Sequence, residues 1–188
     1  MITANRKDKG LIVRILTDAF LDNKSVNYII KQDHHRIKRI SRLMAYSFEY
    51  CRLFGEVYLS EDRQACVLLM YPHRKKTSFR AIMLDVWLAL SCVGLANIGK
   101  VLKREAVIKQ LHVGKEMCYL WFIGVSPDAQ HQGLGSTLLK EIIEQCDTAG
   151  MPVYLETSVQ QNVPWYERFG FTTYKELDFG YRLVCMRK

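Results

Sequence analysis

The sequence predicts an α/β fold (an α+β mixed sheet), in which a central sheet with one parallel pair of strands is flanked by helices. Three consecutive segments carry this prediction. Residues 118–125 form a continuous apolar run of strand length, residues 133–147 place their apolar side chains on one helical face, and residues 153–155 form a second apolar strand. A strand, a crossover helix and a second strand form a βαβ unit, so the two strands should be parallel neighbours.

Ahead of this unit, the sequence predicts helices and one hairpin. Residues 10–21 and 33–52 carry apolar side chains at helical spacing. The short β-rich runs 56–60 and 65–71 are joined through Glu61-Asp62-Arg63, which suits an antiparallel hairpin.

Residues 77–110 are apolar and helical in pattern, and the stretch 81–98 carries the single charge of Asp85. A spanning helix needs about 20 apolar residues, and a carboxylate near its centre is costly. We therefore expect no membrane span but a helix buried in the domain or lining a pocket, with a contact between two copies of the chain as a further role.

After Gly150, which ends the crossover helix, a short helix is predicted from Asn162, with Pro164 in its first turn. The runs 171–177 and 181–186 should form a final antiparallel pair. The chain has no linker or repeat, so residues 1–188 are expected to form one domain.

The charge of the chain is unevenly distributed. The formal net charge is +8, with 20 basic and 10 acidic residues among the first 110 and 7 basic and 9 acidic among the remaining 78. A basic surface attracts nucleic acid, anionic lipid or phosphorylated small molecules. No recognition motif for nucleic acid is present, so a nucleic-acid partner is not expected.

The start of the chain lacks the apolar core of a secretory signal, which predicts a cytoplasmic protein. The six cysteines stand far apart and without metal-ligand spacing, so we expect reduced structural thiols and no metal site.

A glycine-bearing loop, residues 125–136, separates the first strand from the crossover helix. A glycine loop that opens a helix directs free N–H groups and the positive end of the helix dipole at one point, which favours an anion. A phosphate loop with Gly-Lys-Ser/Thr is excluded because that tripeptide is absent. A dinucleotide fingerprint fits less well, because Leu138 occupies its third glycine position and seven residues separate Val125 from Gly133.

The remaining pattern, Gln130-x-x-Gly133-x-Gly135 after a strand, resembles the acyl-CoA loop of the GNAT superfamily of N-acetyltransferases. The downstream segment from Asn162 through Tyr166 to Gly170-Phe171 is similar to a second segment of that family. Within the superfamily, these segments are most similar to the puromycin acetyltransferase group. The likeness covers roughly residues 118–174 and departs from many relatives at His131 and Gln132, where a basic residue is common.

The resemblance implies an N-acetyltransferase that moves an acetyl group from acetyl-CoA directly to an amine of a small molecule. Residues 111–188 would bind acetyl-CoA, and residues 1–110 would contribute the acceptor side. Because the loop lacks a permanent cation, basic residues of the first part could help to hold the CoA phosphates. The implied cofactor-binding residues are Phe122, Ile123, Gly124, Val125, Gln130, His131, Gln132, Gly133, Leu134, Gly135, Ser136, Asn162 and Tyr166.

The resemblance also implies that Tyr166 protonates the departing thiolate. Glu156, at the end of the second strand, either accepts the amine proton or contacts the substrate. His112, Glu116 and Tyr119 are weaker candidates, because the sequence does not fix their direction. A non-catalytic acyl-CoA sensor with the same loop remains an alternative, and a nucleic-acid-binding protein a more distant one.

Overall fold

The computed structural model describes residues 1–112 and 116–188, and it contains one seven-stranded sheet. The strands are β1 (Ile2–Thr3), β2 (Gly55–Leu59), β3 (Ala65–Met70), β4 (Cys118–Val125), β5 (Val153–Thr157), β6 (Thr172–Asp178) and β7 (Arg182–Arg187). Their order in the sheet is β1-β2-β3-β4-β5-β7-β6. The β4–β5 pair is parallel and the other described pairs are antiparallel.

The helices are α1 (Lys9–Ala19), α2 (Lys24–Ile29), α3 (Arg36–Phe54), α4 (Phe79–Leu88), α5 (Ile98–Leu111), α6 (Leu134–Thr148) and α7 (Val163–Glu167). A π-helical turn, Ala89–Val93, continues α4. Gly94 then separates this extended α4 from α5. It has a φ of +75°, which glycine adopts at little cost.

Two hydrophobic cores cover the two faces of the sheet. The first joins α1 and α3 to β2, β3 and the later part of β4, and Phe48, Ile12 and Met44 are fully buried in it. The second joins α6 and α7 to the other face, where Leu139 and Leu155 are enclosed. The helices α4 and α5 lie on the same side as α3.

A β-bulge interrupts the pairing of β4 with β3. Leu120 lies opposite Leu69 and Phe122 lies opposite Leu68, so Trp121 is the extra residue. The extra residue shifts the alternation of side chains, and Trp121 and Phe122 therefore both pack in the first core, with ring centroids 5.6 Å apart. Before the bulge, Leu120 faces the second core.

The parallel pair of strands is short. Cys118 lies opposite Val153 and Tyr119 opposite Tyr154, and beyond these two positions β4 and β5 no longer pair. The other edge of β4 stays paired with β3 as far as Val125. The later part of β4 therefore presents backbone N–H and C=O groups without a strand partner toward a gap between β4 and β5.

The expected fold class, a mixed α/β sheet with one parallel pair, is confirmed. The six cysteines are free and buried, as expected. Two short elements, β1 and α2, were not predicted. The expectation that the apolar stretch 81–98 is buried is wrong for one of its faces, because Met83, Val86 and Leu90 are exposed, although Leu88 and Val93 do line a cavity.

Among the described residues, no single helix has the length and apolar composition to cross a bilayer. The segments Phe79–Val93 and Leu95–Leu111 are long and apolar enough only when they are taken together. These two segments are bent by 104° relative to each other.

Candidate active site

A cavity of about 1150 Å³ opens around the gap between β4 and β5. Its walls come from both sides of the sheet. The loop between β4 and α6, the first turn of α6, and α7 contribute one part of the lining, and α3, α4 and α5 contribute the other. The gap exists because β4 and β5 diverge, so backbone and side chains from both halves of the chain meet there.

The glycine loop has the backbone geometry of an anion cradle. Gly133, at φ +84°, precedes the first turn of α6, and nothing lies within 4 Å of the place where its Cβ would stand. The first N–H groups of a helix have no acceptor within the helix. The 15-residue α6 therefore directs unpaired N–H groups and its dipole at the cavity.

Two other loop residues are also constrained. His131 adopts φ +63°, a conformation that is uncommon for a residue with a side chain. A Cβ on Gly135 would lie 3.4 Å from Val125 Cγ2, so the glycine allows the helix to begin close to β4. Gln130, His131, Gly133, Leu134, Gly135 and Ser136 all line the cavity.

The strand β4 contributes Phe122, Ile123 and Val125 to the lining. Gly124 and Gln132 are not among the described residues that line it. A Cβ on Gly124 would lie 2.9 Å from Leu16 Cδ2, so the close packing of α1 accounts for a glycine at this position. Gln132 instead donates from Nε2 to the Asp128 carbonyl, at 3.3 Å.

Glu156 lies at the centre of a buried polar cluster. Its side chain is 4% exposed, and its Oε2 accepts a hydrogen bond from the Tyr119 hydroxyl. His112 Nε2 lies 3.1 Å from Glu156 Oε1. That contact lacks the alignment of a hydrogen bond, so Oε1 is a buried acceptor without a hydrogen-bond partner among the described residues. Such an atom is costly to bury unless a ligand supplies a donor.

Tyr119 and His112 hold this carboxylate from two sides. Burial, followed by the charge and the hydrogen bond of Glu156, raises the pKa of Tyr119 well above its ordinary value. Tyr119 therefore remains a donor to the carboxylate at neutral pH. The His112 ring packs on Tyr119 and Tyr154, with centroids 5.4 and 5.8 Å apart.

Tyr166 borders the cavity from α7. Its side chain is 6% exposed, and burial raises its pKa above the ordinary value. Its ring packs against Trp165 and Phe171, at centroid distances of 4.7 and 5.7 Å. Its phenol therefore stays protonated through neutral pH, at the border of the cavity.

The helix α7 also touches the first turn of α6. Trp165 Nε1 donates to Ser136 Oγ at 3.0 Å. Asn162 lines the cavity and precedes α7, but its side chain makes no capping hydrogen bond, so its amide is available to a ligand. Arg168, three residues beyond Trp165, brings a guanidinium to the same wall.

Glu156 and Tyr166 approach the gap from opposite faces of the sheet. Tyr166 belongs to the core formed with α6, on the face of Leu120. Successive side chains of a strand point to opposite faces, and Glu156 follows Leu155 of that core, so Glu156 points to the other face. Its hydrogen-bond partner Tyr119 precedes Leu120 on β4 and therefore also points to the other face. The gap therefore has a carboxylate on one face and a phenol on the other.

The face that carries Glu156 has an aromatic wall. Tyr46 and Tyr50 from α3 pack on Trp121, with centroids 6.2 and 5.9 Å apart. The Tyr46 hydroxyl donates to Asp85 Oδ1 at 2.7 Å, whereas the buried Tyr50 hydroxyl has no hydrogen-bond partner among the described residues. This wall can enclose an apolar body and offers a hydroxyl to a polar group.

Sequence reasoning missed several residues of the site. No sequence motif includes Trp121, Tyr46 or Tyr50. The sequence predicted Tyr119 and His112 only as weak candidates, because the direction of their side chains depends on strand pairing. Arg168 was not considered. Of the basic residues of the first part that line the cavity, Arg104 is engaged internally, since it donates to Tyr181 and Ser25 at 2.9 and 2.7 Å. Glu116 is exposed and does not line the cavity.

Comparison with known proteins agrees with this geometry. Residues 89–171 match the model of the acetyltransferase (GNAT) family. An uncharacterized N-acetyltransferase of Schizosaccharomyces pombe is 45% identical over 53 residues, which cover 28% of this chain and only 22% of that relative.

Two solved structures share the fold over 100% of this chain. A structure described as histone acetyltransferase HPA2 and related acetyltransferase, from Corynebacterium glutamicum, has a TM-score of 0.70 at 18% identity, with 93% of that chain covered. Arylalkylamine N-acetyltransferase 2 from Aedes aegypti has a TM-score of 0.63 at 15% identity, with 96% covered. Residues 89–171 are therefore similar to the GNAT acetyltransferase family, and the chain shares its fold with these two acetyltransferase structures.

Proposed function

We propose that this protein is an acetyl-CoA-dependent N-acetyltransferase that transfers the acetyl group directly to an amine of a small molecule, with both substrates bound together. The observation that carries the proposal is Oε1 of Glu156, which has no hydrogen-bond partner among the described residues and lies in the same cavity as the anion cradle of α6 and the phenol of Tyr166. Together these groups provide an anion site, a proton acceptor and a proton donor around one gap.

The acyl donor fits the half of the cavity beside α6. The loop from Gln130 to Ser136 offers N–H groups to the pyrophosphate of CoA, and Arg168 adds a cation that the loop itself lacks. The unpaired edge of β4 offers N–H and C=O groups to the amides of an extended pantetheine arm, as a neighbouring strand would. Asn162 hydrogen-bonds the same arm.

The acceptor fits the face that carries Glu156. An amine must be neutral to attack a thioester. Oε1 of Glu156, which no described residue hydrogen-bonds, accepts the amine proton directly or through one water. Tyr119 and His112 keep the carboxylate aimed at the gap. The aromatic wall of Tyr46, Tyr50 and Trp121 supports an acceptor with an apolar body.

Tyr166 donates a proton to the thiolate as the carbon–sulfur bond breaks. Burial raises the pKa of this phenol, so it is protonated at every physiological pH, and the transfer becomes favourable only as negative charge develops on sulfur beside it. An N–H of the β4 edge stabilises the charge on the thioester oxygen. The proposal includes two further points. The chain is most similar to the puromycin acetyltransferase group of the superfamily, and it acts in the cytoplasm.

A thiol-release assay tests the proposal. The full chain is incubated with acetyl-CoA and a panel of arylalkylamines, aliphatic amines, polyamines, aminonucleosides and peptide N-termini, and CoA binding is measured separately by calorimetry. We expect amine-dependent release of CoA thiol. If the chain binds CoA but releases no CoA thiol with any amine, it is an acyl-CoA sensor and not an enzyme. If the chain does not bind CoA, both the enzyme and the sensor are rejected.

A further inference from the structure

A stripe of apolar side chains lies exposed along α4. Phe79, Ile82, Met83 and Val86 follow one another at i, i+3, i+4 and i+7, which places them on one face of the helix. Their exposed fractions are 80%, 49%, 51% and 47%. Ala81 and Leu84, on the other face, pack against the first core, so the stripe is not needed to attach the helix to the domain.

The stripe continues beyond α4. Leu90 is 64% exposed, and after the 104° bend Leu95 and Leu102 of the second arm are 75% and 63% exposed. With Trp87, these residues and the four of α4 account for eight of the ten large apolar side chains that are exposed among the described residues. Contiguous apolar surfaces of this kind mark contact sites. We call the eight residues the apolar ridge.

Basic residues flank the apolar ridge along the sequence. Lys75 and Lys76 precede α4, Arg80 lies in its first turn, and Lys100 and Lys103 lie on α5. Between positions 73 and 103 the sequence has six lysines and arginines and one acidic residue, Asp85. The Asp85 carboxylate accepts a hydrogen bond from the Tyr46 hydroxyl beside the cavity. Lys76 and Lys103 make no ion pair among the described residues, so their charges are available to a partner.

We propose that the apolar ridge docks this protein onto the surface of an anionic lipid bilayer. Exposed aromatic and aliphatic side chains enter the boundary between headgroups and acyl chains, and lysine and arginine beside them pair with lipid phosphates. A tryptophan and a phenylalanine among apolar residues with a basic rim suit that boundary. The two arms, bent at Gly94, lie on the bilayer and do not cross it.

The charge distribution favours lipid over a second copy of the chain. In a two-fold dimer the same surface faces itself, so the basic rim of one copy would meet the basic rim of the other. A bilayer with acidic headgroups instead neutralises each of these charges. The inference is independent of the proposed acetyl transfer, because seven of the eight ridge residues do not line the cavity; Leu102 is the exception.

Vesicle co-sedimentation of the full chain tests the proposal. One set of vesicles contains phosphatidylcholine alone, and a second contains about 30% phosphatidylglycerol as the anionic lipid. We expect partitioning into the anionic vesicles to exceed partitioning into the neutral vesicles by about tenfold or more, and to fall as NaCl rises from about 0.1 to about 0.5 M.

Two pairs of variants separate the apolar from the electrostatic part. Phe79→Gln with Leu90→Gln should lower binding to anionic vesicles by about tenfold or more. Ile37→Gln is the matched control, because Ile37 is 57% exposed but borders a groove between α1 and α3. Lys76→Glu with Lys103→Glu should lower binding by about fivefold for each charge removed, whereas Lys7→Glu with Lys38→Glu, both exposed elsewhere, should not.

Circular dichroism confirms that each variant is folded. The proposal is overturned if the wild-type chain binds neither kind of vesicle, or if the control variants lose as much binding as the ridge variants. It is also overturned if sedimentation shows a dimer that Phe79→Gln with Leu90→Gln dissociates, because a second copy then covers the ridge.

Discussion

Glu156 and Tyr166 face the same gap in the sheet from opposite sides. The carboxylate is held by Tyr119 and His112 on the side of α3 and α5, and the phenol belongs to the core on the side of α6 and α7. Because β4 and β5 stop pairing after Tyr119 and Tyr154, the two side chains reach a common cavity. In the proposed acetyl transfer, this arrangement separates the proton acceptor for the amine from the proton donor for the thiolate.

Replacing Glu156 with glutamine should remove the proton acceptor and keep the shape of the site. We expect kcat to fall by about 10²–10⁴-fold, with the dissociation constant of CoA unchanged. Steady-state kinetics and calorimetry measure the two quantities. The control is Glu116→Gln, a change at an exposed carboxylate. Wild-type turnover in Glu156→Gln would exclude the role of Glu156 as the base.

Tyr166→Phe should lower kcat by about 10²-fold and leave CoA affinity unchanged, because the buried ring is kept. Tyr28→Phe, a ring that packs on Tyr181 away from the cavity, is the control and should behave as wild type.

The pH profile gives a second readout for Tyr166. Burial raises the pKa of this phenol, so the protonated form persists to a pH above its ordinary value of about 10. The kcat profile should therefore show no fall from loss of this proton below about pH 10. A descending limb near neutral pH that Tyr166→Phe abolishes would contradict the role.

Two glycines at opposite ends of α6 provide a matched pair. Gly133 and Gly150 have φ of +84° and +63°, and at either position nothing lies within 4 Å of the place where a Cβ would stand. Alanine at either position should lower the free energy of unfolding by about 1 kcal/mol, because positive φ is strained for alanine. CoA affinity should fall only in Gly133→Ala, as calorimetry would show. Equal loss in Gly150→Ala would mean that helix stability alone matters.

Two tryptophans should separate the substrates kinetically. Trp121 belongs to the aromatic wall beside Glu156, and Trp165 donates to Ser136 in the first turn of α6. We expect Trp121→Leu to raise KM for the amine by about tenfold, and Trp165→Leu to raise KM for acetyl-CoA by a similar factor. Initial-rate measurements with each substrate varied would test this, and the opposite pattern would reverse the assignment of the two halves.

A buried carboxylate near the amino terminus should make stability depend on pH. The Asn5 N–H donates to Asp8 at 2.8 Å, and this hydrogen bond, together with Arg63, lowers the pKa of Asp8. A lowered folded-state pKa contributes stability that is present above the ordinary pKa of about 3.9 and is lost as pH falls through the folded-state value.

Asp8→Asn should therefore lower the free energy of unfolding by about 1–3 kcal/mol at neutral pH, and the difference from wild type should shrink in acid. Urea titrations at several pH values measure it. Asp18→Asn, at an exposed position, is the control. A deficit in Asp8→Asn that is the same at every pH would exclude the ionised carboxylate as its source.

Local sequence patterns were sufficient for the longer elements and for the loop. These features depend on residues that are close together in the chain, so their periodicity and spacing are visible without the fold. They are the apolar run of β4, the amphipathic pattern of α6 and the glycines at 133 and 135. The short elements β1 and α2 were missed because two and six residues carry too little pattern.

What the sequence alone determined is therefore the mixed α/β sheet, the parallel step and the glycine loop that opens α6. Only the tertiary structure decided that Trp121 is a bulged residue, that β4 and β5 part after two pairs, and that Tyr119 and His112 hold Glu156. These facts depend on the register between strands and on packing between segments distant in the chain, which no local pattern specifies. The same holds for the apolar ridge, since a helical period cannot tell which apolar face meets the core.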